Sequence, residues 1–428
     1  MNRKFWQKEK DQKNDPLYTS GSSCSEAVWY TIGSCMMAGN TVAMSMLVGH
    51  LFDLNEMGIF SLSLTTAQIL YSLALFGAND LQMTDYHHCF RFSHYFWVKV
   101  FSTALTIGIC GILILFLLQG KMVRLYTILL TGYMLVNSFA ELYQSLFMQN
   151  LRFDLSGKAM FYRYLLSTVT FLAVLIQTNN ILFGCVWMLI VSIFSALWWP
   201  LRYAKKFRDS GYVLEYAQTK RLMRETLPLC LSVMSALLVI NAPKYLINAY
   251  LSDELQGVYS ILFMPTYTVN LAGQFVFKPY LYRYSLTLQR GRREFKKLFI
   301  VHATIIVVCA FVGSISLWLI GAPLFYLLFA QDLRKYRVMM FLFLLSGGLL
   351  AVNQILYYIM VILHKQRSVF INFLLGIALT VLLGQSVIPQ FSLGGAWLSF
   401  TAGQTGLLVG YIFILHYYFK GKESERRA

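Results

Sequence analysis

Asn241-Ala242-Pro243-Lys244-Tyr245 lies inside an apolar run from about Leu227 to Leu251. About twenty such residues in a row are enough for a helix to cross a bilayer. This run therefore sets the class of fold, a membrane helix that carries a charge. A Lys at such depth costs about 2.5–3.5 kcal/mol on insertion scales, so it normally faces a polar cavity or a partner and not lipid. Pro243 removes a backbone N–H and collides with the carbonyl four residues earlier. In a membrane the freed group needs a partner from a neighbouring helix, a polar side chain or water, and Asn241 is a candidate. The stretch reads as a kinked helix presenting a cation to an internal water-filled space. The competing reading is a Lys that snorkels to the outer headgroups.

The rest of the chain agrees with a membrane location. It has 428 residues, of which 57% are hydrophobic and 13% charged, where a soluble protein carries about 25% charged residues. Apolar stretches recur at even spacing. They predict an all-α polytopic membrane protein with about twelve transmembrane helices in two six-helix lobes. The expected spans are 26–49, 57–79, 97–118, 124–149, 161–178, 181–201, 227–250, 256–282, 298–320, 338–363, 368–388 and 394–419. Residues 1–25 form an expected cytoplasmic tail, 26–201 an N-lobe, 202–226 a cytoplasmic linker, 227–419 a C-lobe and 420–428 a second tail. The amino-terminal segment shows no cleavage-site pattern after a short apolar core, so the first helix reads as an uncleaved anchor.

The formal charge of +17 would suggest nucleic acid in a soluble chain; here its distribution matters more. Thirty of the 36 Lys and Arg residues fall on the side of the termini and five on the other, with Lys244 left between. That bias places both termini in the cytoplasm. The basic loops fix topology and touch anionic headgroups.

The halves also resemble each other. Asn55-Glu56-Met57-Gly58-Ile59-Phe60-Ser61 aligns with Glu254-Leu255-Gln256-Gly257-Val258-Tyr259-Ser260 at an offset of 199 residues. The match falls at the same place in each half, the turn between its first two helices. Duplicated halves of this kind build many secondary transporters, with the substrate site between them.

Motifs for other chemistries are missing. The sequence has no Walker A motif, no GxSxG, no HExxH and no paired-cysteine metal site, so neither a cofactor nor an enzyme is expected. Its seven cysteines are scattered and read as small hydrophobes. His87-His88 reads as a solvated loop and not a metal site.

Intramembrane polar residues carry more information. Glu141 lies about two turns from the cytoplasmic end of the fourth span, and Gln144 shares its face. Glu141 reads as a cavity residue or as half of an ion pair with Arg152 or Arg163. Lys278-Pro279 with Arg283 a turn beyond reads as a cationic inner mouth or as snorkelling. Asp80 and Asp85 are placed in the loop after the second span. Ser346-Gly347-Gly348 and Gly394-Gly395 predict close helix packing. Trp198-Trp199 suits an interfacial belt.

Several stretches together resemble one family. Gly77-Ala78-Asn79-Asp80-Leu81-Gln82-Met83-Thr84-Asp85, followed by Phe92-Ser93-His94-Tyr95, is similar to the second-to-third-helix loop of bacterial polysaccharide transporters. Glu141-Leu142-Tyr143-Gln144-Ser145, Gln149-Asn150-Leu151-Arg152 and Arg224-Glu225-Thr226-Leu227-Pro228 leading to Asn241-Ala242-Pro243-Lys244-Tyr245 are similar too. The family is the O-antigen or capsule repeat-unit (Wzx-like) flippases of the multidrug/oligosaccharidyl-lipid/polysaccharide exporter superfamily. The chain departs from it with Asn79 where a basic residue is expected and Lys99 where Arg is common.

The resemblance implies two lobes around a cavity that opens alternately to each side of the bacterial inner membrane. It also implies an undecaprenyl-pyrophosphate-linked oligosaccharide as substrate. Expected partners are that lipid, the bilayer and the polysaccharide polymerase and glycosyltransferases, with no nucleic acid. Lys244, Asn241, Lys278 and Arg283 are then the expected substrate contacts, and Glu141 and Gln144 the coupling or cavity residues. The alternatives are a multidrug or cation extruder of the same fold, whose cavity should be mainly acidic, and a membrane polymerase or assembly factor. A polymerase should carry a large outer loop, whereas the longest here, about 320–337, is short.

Overall fold

A computed structural model gives the structure of the protein and describes residues 23–427, apart from 86–88, 117, 119, 209–210, 278–279 and 364. The expected tail 1–25, Lys278 and the His87-His88 pair thus lie wholly or largely outside the described residues.

Every element among the described residues is helical. Those of seven residues or more are, in chain order, α1 (Ser23–Leu51), α2 (Leu54–Leu75), α3 (Ala78–Thr84), α4 (Phe92–Phe116), α5 (Lys121–Gln149), α6 (Phe153–Thr178) and α7 (Ile181–Trp199). There follow α8 (Tyr216–Tyr250), α9 (Asp253–Phe277), α10 (Leu281–Arg290), α11 (Arg292–Phe329), α12 (Arg337–Ile362), α13 (Gln366–Phe391) and α14 (Leu393–Arg427). Eleven described segments are long and apolar enough to cross a membrane. Helix α9 is of similar length, 25 residues, with Pro265 inside it. The chain is a multi-pass membrane protein, and the all-α reading holds.

Several helices run further than hydropathy suggests. Helix α4 begins at Phe92 and α6 at Phe153, ahead of the expected 97 and 161. Helix α8 begins at Tyr216, so part of the expected linker 202–226 is helical and continuous with the span that follows. Polar and basic turns keep their backbone hydrogen bonds outside the hydrocarbon, and a hydropathy window ends before they do.

Local chemistry explains the sharp corners. Asn179 closes α6 in the left-handed conformation (φ 46°), which Asn tolerates better than most residues. Asn180 then caps α7, its side chain accepting from Leu182 N at 2.9 Å and Phe183 N at 3.4 Å. Gly77 (φ 66°) makes the turn between α2 and α3.

The chain forms two compact units. The first comprises 1–44 and 70–227, the second 45–69 and 228–428. In the first, Leu130, Tyr133, Phe147, Phe171, Cys185 and Met188 are fully enclosed. A polar thread runs through that core: Tyr133 donates to Asn40 Oδ1 at 2.9 Å, and Asn40 donates to Thr168 Oγ1 at 2.7 Å. In the second unit Val239, Tyr284, Leu356, Ile359 and Met360 anchor a large apolar cluster. Val301, Ile305, Val308, Val312 and Leu319 on α11 stay exposed, the surface a hydrocarbon solvent requires.

The repeat seen in the sequence has a physical counterpart in the second unit. A Cβ on Gly58 would strike Asp253 O, and one on Gly257 would strike Leu54 O. Leu54 and Asp253, like Gly58 and Gly257, are 199 residues apart. The amino-terminal turns of α2 and α9 therefore cross backbone to backbone with reciprocal contacts, the pattern of a local two-fold axis. A Cβ on Gly347 would come to 3.2 Å from Thr266 Cα and one on Gly348 to 2.7 Å from Ala310 Cβ, as close packing predicts. A Cβ on Gly395 would strike Val387 O, whereas one on Gly394 would keep 3.6 Å from Met339 Cε.

Candidate functional site

Two groups of buried charge stand out, one in each unit. In the second unit Lys244 is 7% exposed. It donates to Thr65 Oγ1 at 2.9 Å and Ser61 Oγ at 3.3 Å, both on α2. No described residue forms an ion pair with it, and no charged neighbour acts on it. Its partners are hydroxyls spaced one helical turn apart, so both face the same way. The next residue, Tyr245, shares a 2.9 Å hydrogen bond with Thr66. Lys244 is thus a buried cation whose charge is unbalanced by anything described nearby, which suits an anion that arrives from elsewhere.

Asn241 is 1% exposed. It accepts from Tyr267 OH at 3.0 Å and donates to Leu237 O at 2.9 Å. By the i→i−4 rule Pro243 frees the carbonyl of Val239, so Asn241 does not fill that vacancy. Its role is to tie α8 to α9.

In the first unit Glu141 is half-buried on α5. It accepts from the Tyr71 hydroxyl and, at 3.3 Å, from Asn79 Nδ2. The expected ion pair with Arg152 or Arg163 is not formed. Arg152 clasps Asp154 at 2.8 Å through both Nε and Nη2. Arg163 is 2% exposed. With the Gln144 amide oxygen turned toward it, Gln144 accepts from Nη1 at 2.7 Å and Nη2 at 3.2 Å. Lys99, 1% exposed, donates to Ala74 O at 3.1 Å and Ser138 Oγ at 3.0 Å. Glu141 acts electrostatically on both Lys99 and Arg163, and Asp80 acts on Lys99. The two cations thus share one acidic neighbour, Glu141, unlike Lys244.

Lys99 and Arg163 lie inside the expected spans 97–118 and 161–178 but are counted with the basic residues on the side of the termini, and the structure buries both in the core. Both sit inside helices that start earlier than the hydropathy window. The signal available was their spacing: Lys99 is seven residues into α4 and Arg163 ten into α6. Arg283 is exposed, with its guanidinium 5.4 Å from the Tyr280 ring centroid.

Four of the stretches that carried the family resemblance, 77–85, 92–95, 141–145 and 149–152, meet one another in the first unit. Asp85 is 8% exposed and accepts from Cys89 N at 2.8 Å, Phe90 N at 3.0 Å and Tyr95 OH at 3.0 Å. Gln149 donates to Asp85 O at 2.9 Å. Asp85 therefore lies in the expected loop and ties Cys89 and Phe90 to the start of α4. Its negative charge raises the Cys89 thiol pKa above the usual value. Trp198 is 62% exposed, as an interfacial residue should be, while Trp199 stacks on Tyr203 at 5.5 Å. Among the described residues no group of three or more His, Cys, Asp or Glu is placed to hold a metal ion.

Comparison with protein-family models and with curated proteins gave no match. Solved structures do match. The lipid II flippase MurJ in an inward closed conformation aligns at TM-score 0.63 and 12% identity, over 91% of this chain and 87% of that one. The MATE multidrug transporter DinF-BH, solved with a bound ligand, aligns at 0.61 and 16%, over 95% and 98%. A mutant of the Vibrio cholerae MATE transporter VcmN aligns at 0.59 and 13%, over 93% and 100%. The fold is that of MOP superfamily transporters, the group that includes the MATE exporters and MurJ. These neighbours are transporters and not enzymes.

Proposed function

We propose that the protein is a flippase that moves an undecaprenyl-pyrophosphate-linked oligosaccharide repeat unit across the bacterial cytoplasmic membrane for surface polysaccharide biosynthesis. The observation that carries this reading is Lys244, a buried ammonium held among the described residues only by the Ser61 and Thr65 hydroxyls. A pyrophosphate supplies the missing negative charge, and the ammonium repays part of the cost of taking that anion out of water. A compact Lys charge also releases an anion more readily than a bidentate Arg fork. The lobes 26–201 and 227–419 alternate access, with both termini in the cytoplasm as the charge bias requires.

The first unit contains an apolar cavity of about 590 Å³, lined by Phe139, Ile193 and Leu197 and also by Lys205 and Arg208. That combination suits a hydrocarbon chain with an anionic end. Glu141, which acts on two buried cations, is the residue we assign to a coupling proton or sodium ion. A polymerase and glycosyltransferases are the partners that would consume and supply such a substrate.

One observation favours the second reading, a multidrug or cation extruder. Glu141 is an acid within a membrane span, and MATE exporters share the fold. The test is translocation in proteoliposomes. Labelled undecaprenyl-pyrophosphate oligosaccharide is followed with wild type and Lys244→Ala, with and without proton or sodium gradients. The flippase reading requires that wild type move the lipid and the variant not. Movement of cationic drugs but not of lipid selects the other reading.

A further inference from the structure

The cavity of about 590 Å³ in the first unit is a groove between α5 and α7. Helix α7 runs on beyond Trp199 through a wide turn, Pro200–Ala204, and a last short turn, Lys205–Phe207. Ile193, Leu197 and Leu201 on the groove are 40%, 52% and 79% exposed. Apolar side chains left so open on a membrane protein face hydrocarbon, so a lipid can reach the groove from the side. The exposed Trp198 marks the depth of the headgroups. The groove thus starts in the hydrocarbon at Leu135 and Ile193 and ends near the headgroups at Tyr143, Lys205, Arg208 and Tyr212.

That polar end is held in place. The Arg208 guanidinium lies 4.3 Å from the Tyr212 ring centroid. Tyr212 is fixed in turn: its carbonyl accepts from Trp97 Nε1 at 2.9 Å, its hydroxyl lies 3.4 Å from that of Tyr143, and its ring sits 4.6 Å from that of Phe96. Phe207 rests on Phe147 at 5.7 Å, which keeps the turn with Lys205 against α5. Neither Lys205 nor Arg208 forms an ion pair with a described residue. Glu215, further along the linker, is taken by Arg91 at 3.1 Å and His94 at 3.2 Å. Residues 200–212 carry Arg202, Lys205, Lys206 and Arg208 against a single acid, Asp209, which lies outside the described residues. Two cations beside two phenols suit a phosphate, which accepts charge-assisted bonds from the first pair and neutral ones from the second. Length chooses among lipids with such an end. Leu135 to Tyr143 spans about 12 Å at about 1.5 Å per residue, close to the roughly 15 Å depth of one leaflet's hydrocarbon. An acyl chain fills that length, whereas an undecaprenyl chain is several times longer.

We propose that this groove holds an anionic phospholipid of the cytoplasmic leaflet, with its phosphate between Lys205 and Arg208 and one acyl chain between α5 and α7. The site does not depend on what the protein transports. The test is native mass spectrometry of the purified full-length protein in detergent, titrated with phosphatidylglycerol or with phosphatidylcholine of the same chains. A basic side chain near an anionic headgroup is worth about 5-fold, so wild type should hold one phosphatidylglycerol about 30-fold more tightly than phosphatidylcholine. Lys205→Gln combined with Arg208→Gln should abolish that preference and leave phosphatidylcholine binding unchanged. Ala196→Trp, which fills the groove, should weaken binding of both lipids. If Ala196→Trp fails to fold, the Gln pair carries the test, because it trims charge at the polar end and leaves the apolar lining intact. Equal affinity for the two lipids in wild type, or an undiminished preference in the Gln pair, overturns the site. Displacement of the bound phosphatidylglycerol by an equal amount of undecaprenyl phosphate overturns the phospholipid and gives the groove to a polyprenyl lipid.

Discussion

Lys244→Met separates a structural lysine from a functional one, because the two roles predict opposite signs. The substitution keeps an unbranched side chain of similar length and removes the charge. Stability loses the hydrogen bonds to Ser61 and Thr65, each about 1.5–3 kcal/mol for a charged donor. It regains the desolvation penalty of an ion taken from water, several kcal/mol after relaxation. With no acid to repay that penalty among the described residues, the two terms nearly cancel, and folding stability should change by no more than about 1 kcal/mol. Binding has no such cancellation. A unit negative charge at about 4 Å in an effective dielectric near 20 is attracted by about 4 kcal/mol. Discounting for the hydration the substrate gives up leaves roughly 2–3 kcal/mol, or about 30- to 150-fold in affinity. The assay is equilibrium binding of labelled undecaprenyl pyrophosphate in nanodiscs, with thermal unfolding in detergent as the control. A melting temperature lowered by more than about 5 °C with affinity unchanged would refute the reasoning and make Lys244 a structural residue.

Gly58→Val and Gly257→Val should each destabilise by about 1–3 kcal/mol or more, since the new side chain meets backbone. Gly39→Ala, with nothing within 4 Å, should be neutral or stabilising in the same melting experiment. Glu141→Gln should destabilise by leaving Lys99 and Arg163 less compensated, and adding Lys99→Met should recover part of the loss. A double-mutant cycle should read a coupling of about 0.5–3 kcal/mol. Asp85→Asn should lower the Cys89 thiol pKa toward its ordinary value, because a negative neighbour disfavours the thiolate. Alkylation of Cys89 at about pH 8 should therefore quicken. The same substitution should hasten tryptic cleavage after the exposed Arg91.

Much of the fold was legible because hydrocarbon solvent imposes a simple rule on sequence, about twenty apolar residues per crossing. The Gly58 and Gly257 correspondence was legible too, since a backbone crossing admits only glycine and duplication leaves it at a fixed offset. What escaped was polar structure at helix ends. Lys99 and Arg163 fell in the first residues of expected spans and were counted with the basic residues of the side of the termini, because hydropathy windows open only where basic residues end, yet both side chains are buried in the core. The Pro243 vacancy suggested a role for Asn241 that its actual bond to Leu237 does not support. A cavity of about 280 Å³ in the second unit, lined in part by amides, was invisible for a different reason. Asn270, Asn353 and Gln404 sit on three helices far apart in the chain, and only packing brings them to one space.

The central claim is that the buried charge of this protein is set for an anion. The most direct test is a competition experiment on purified wild type, titrating labelled undecaprenyl pyrophosphate against a lipophilic cationic dye. The account predicts saturable binding of the lipid, its loss in Lys244→Met, and no displacement by the dye. Tight binding of the dye, abolished by Glu141→Gln, together with no binding of the lipid, would contradict it.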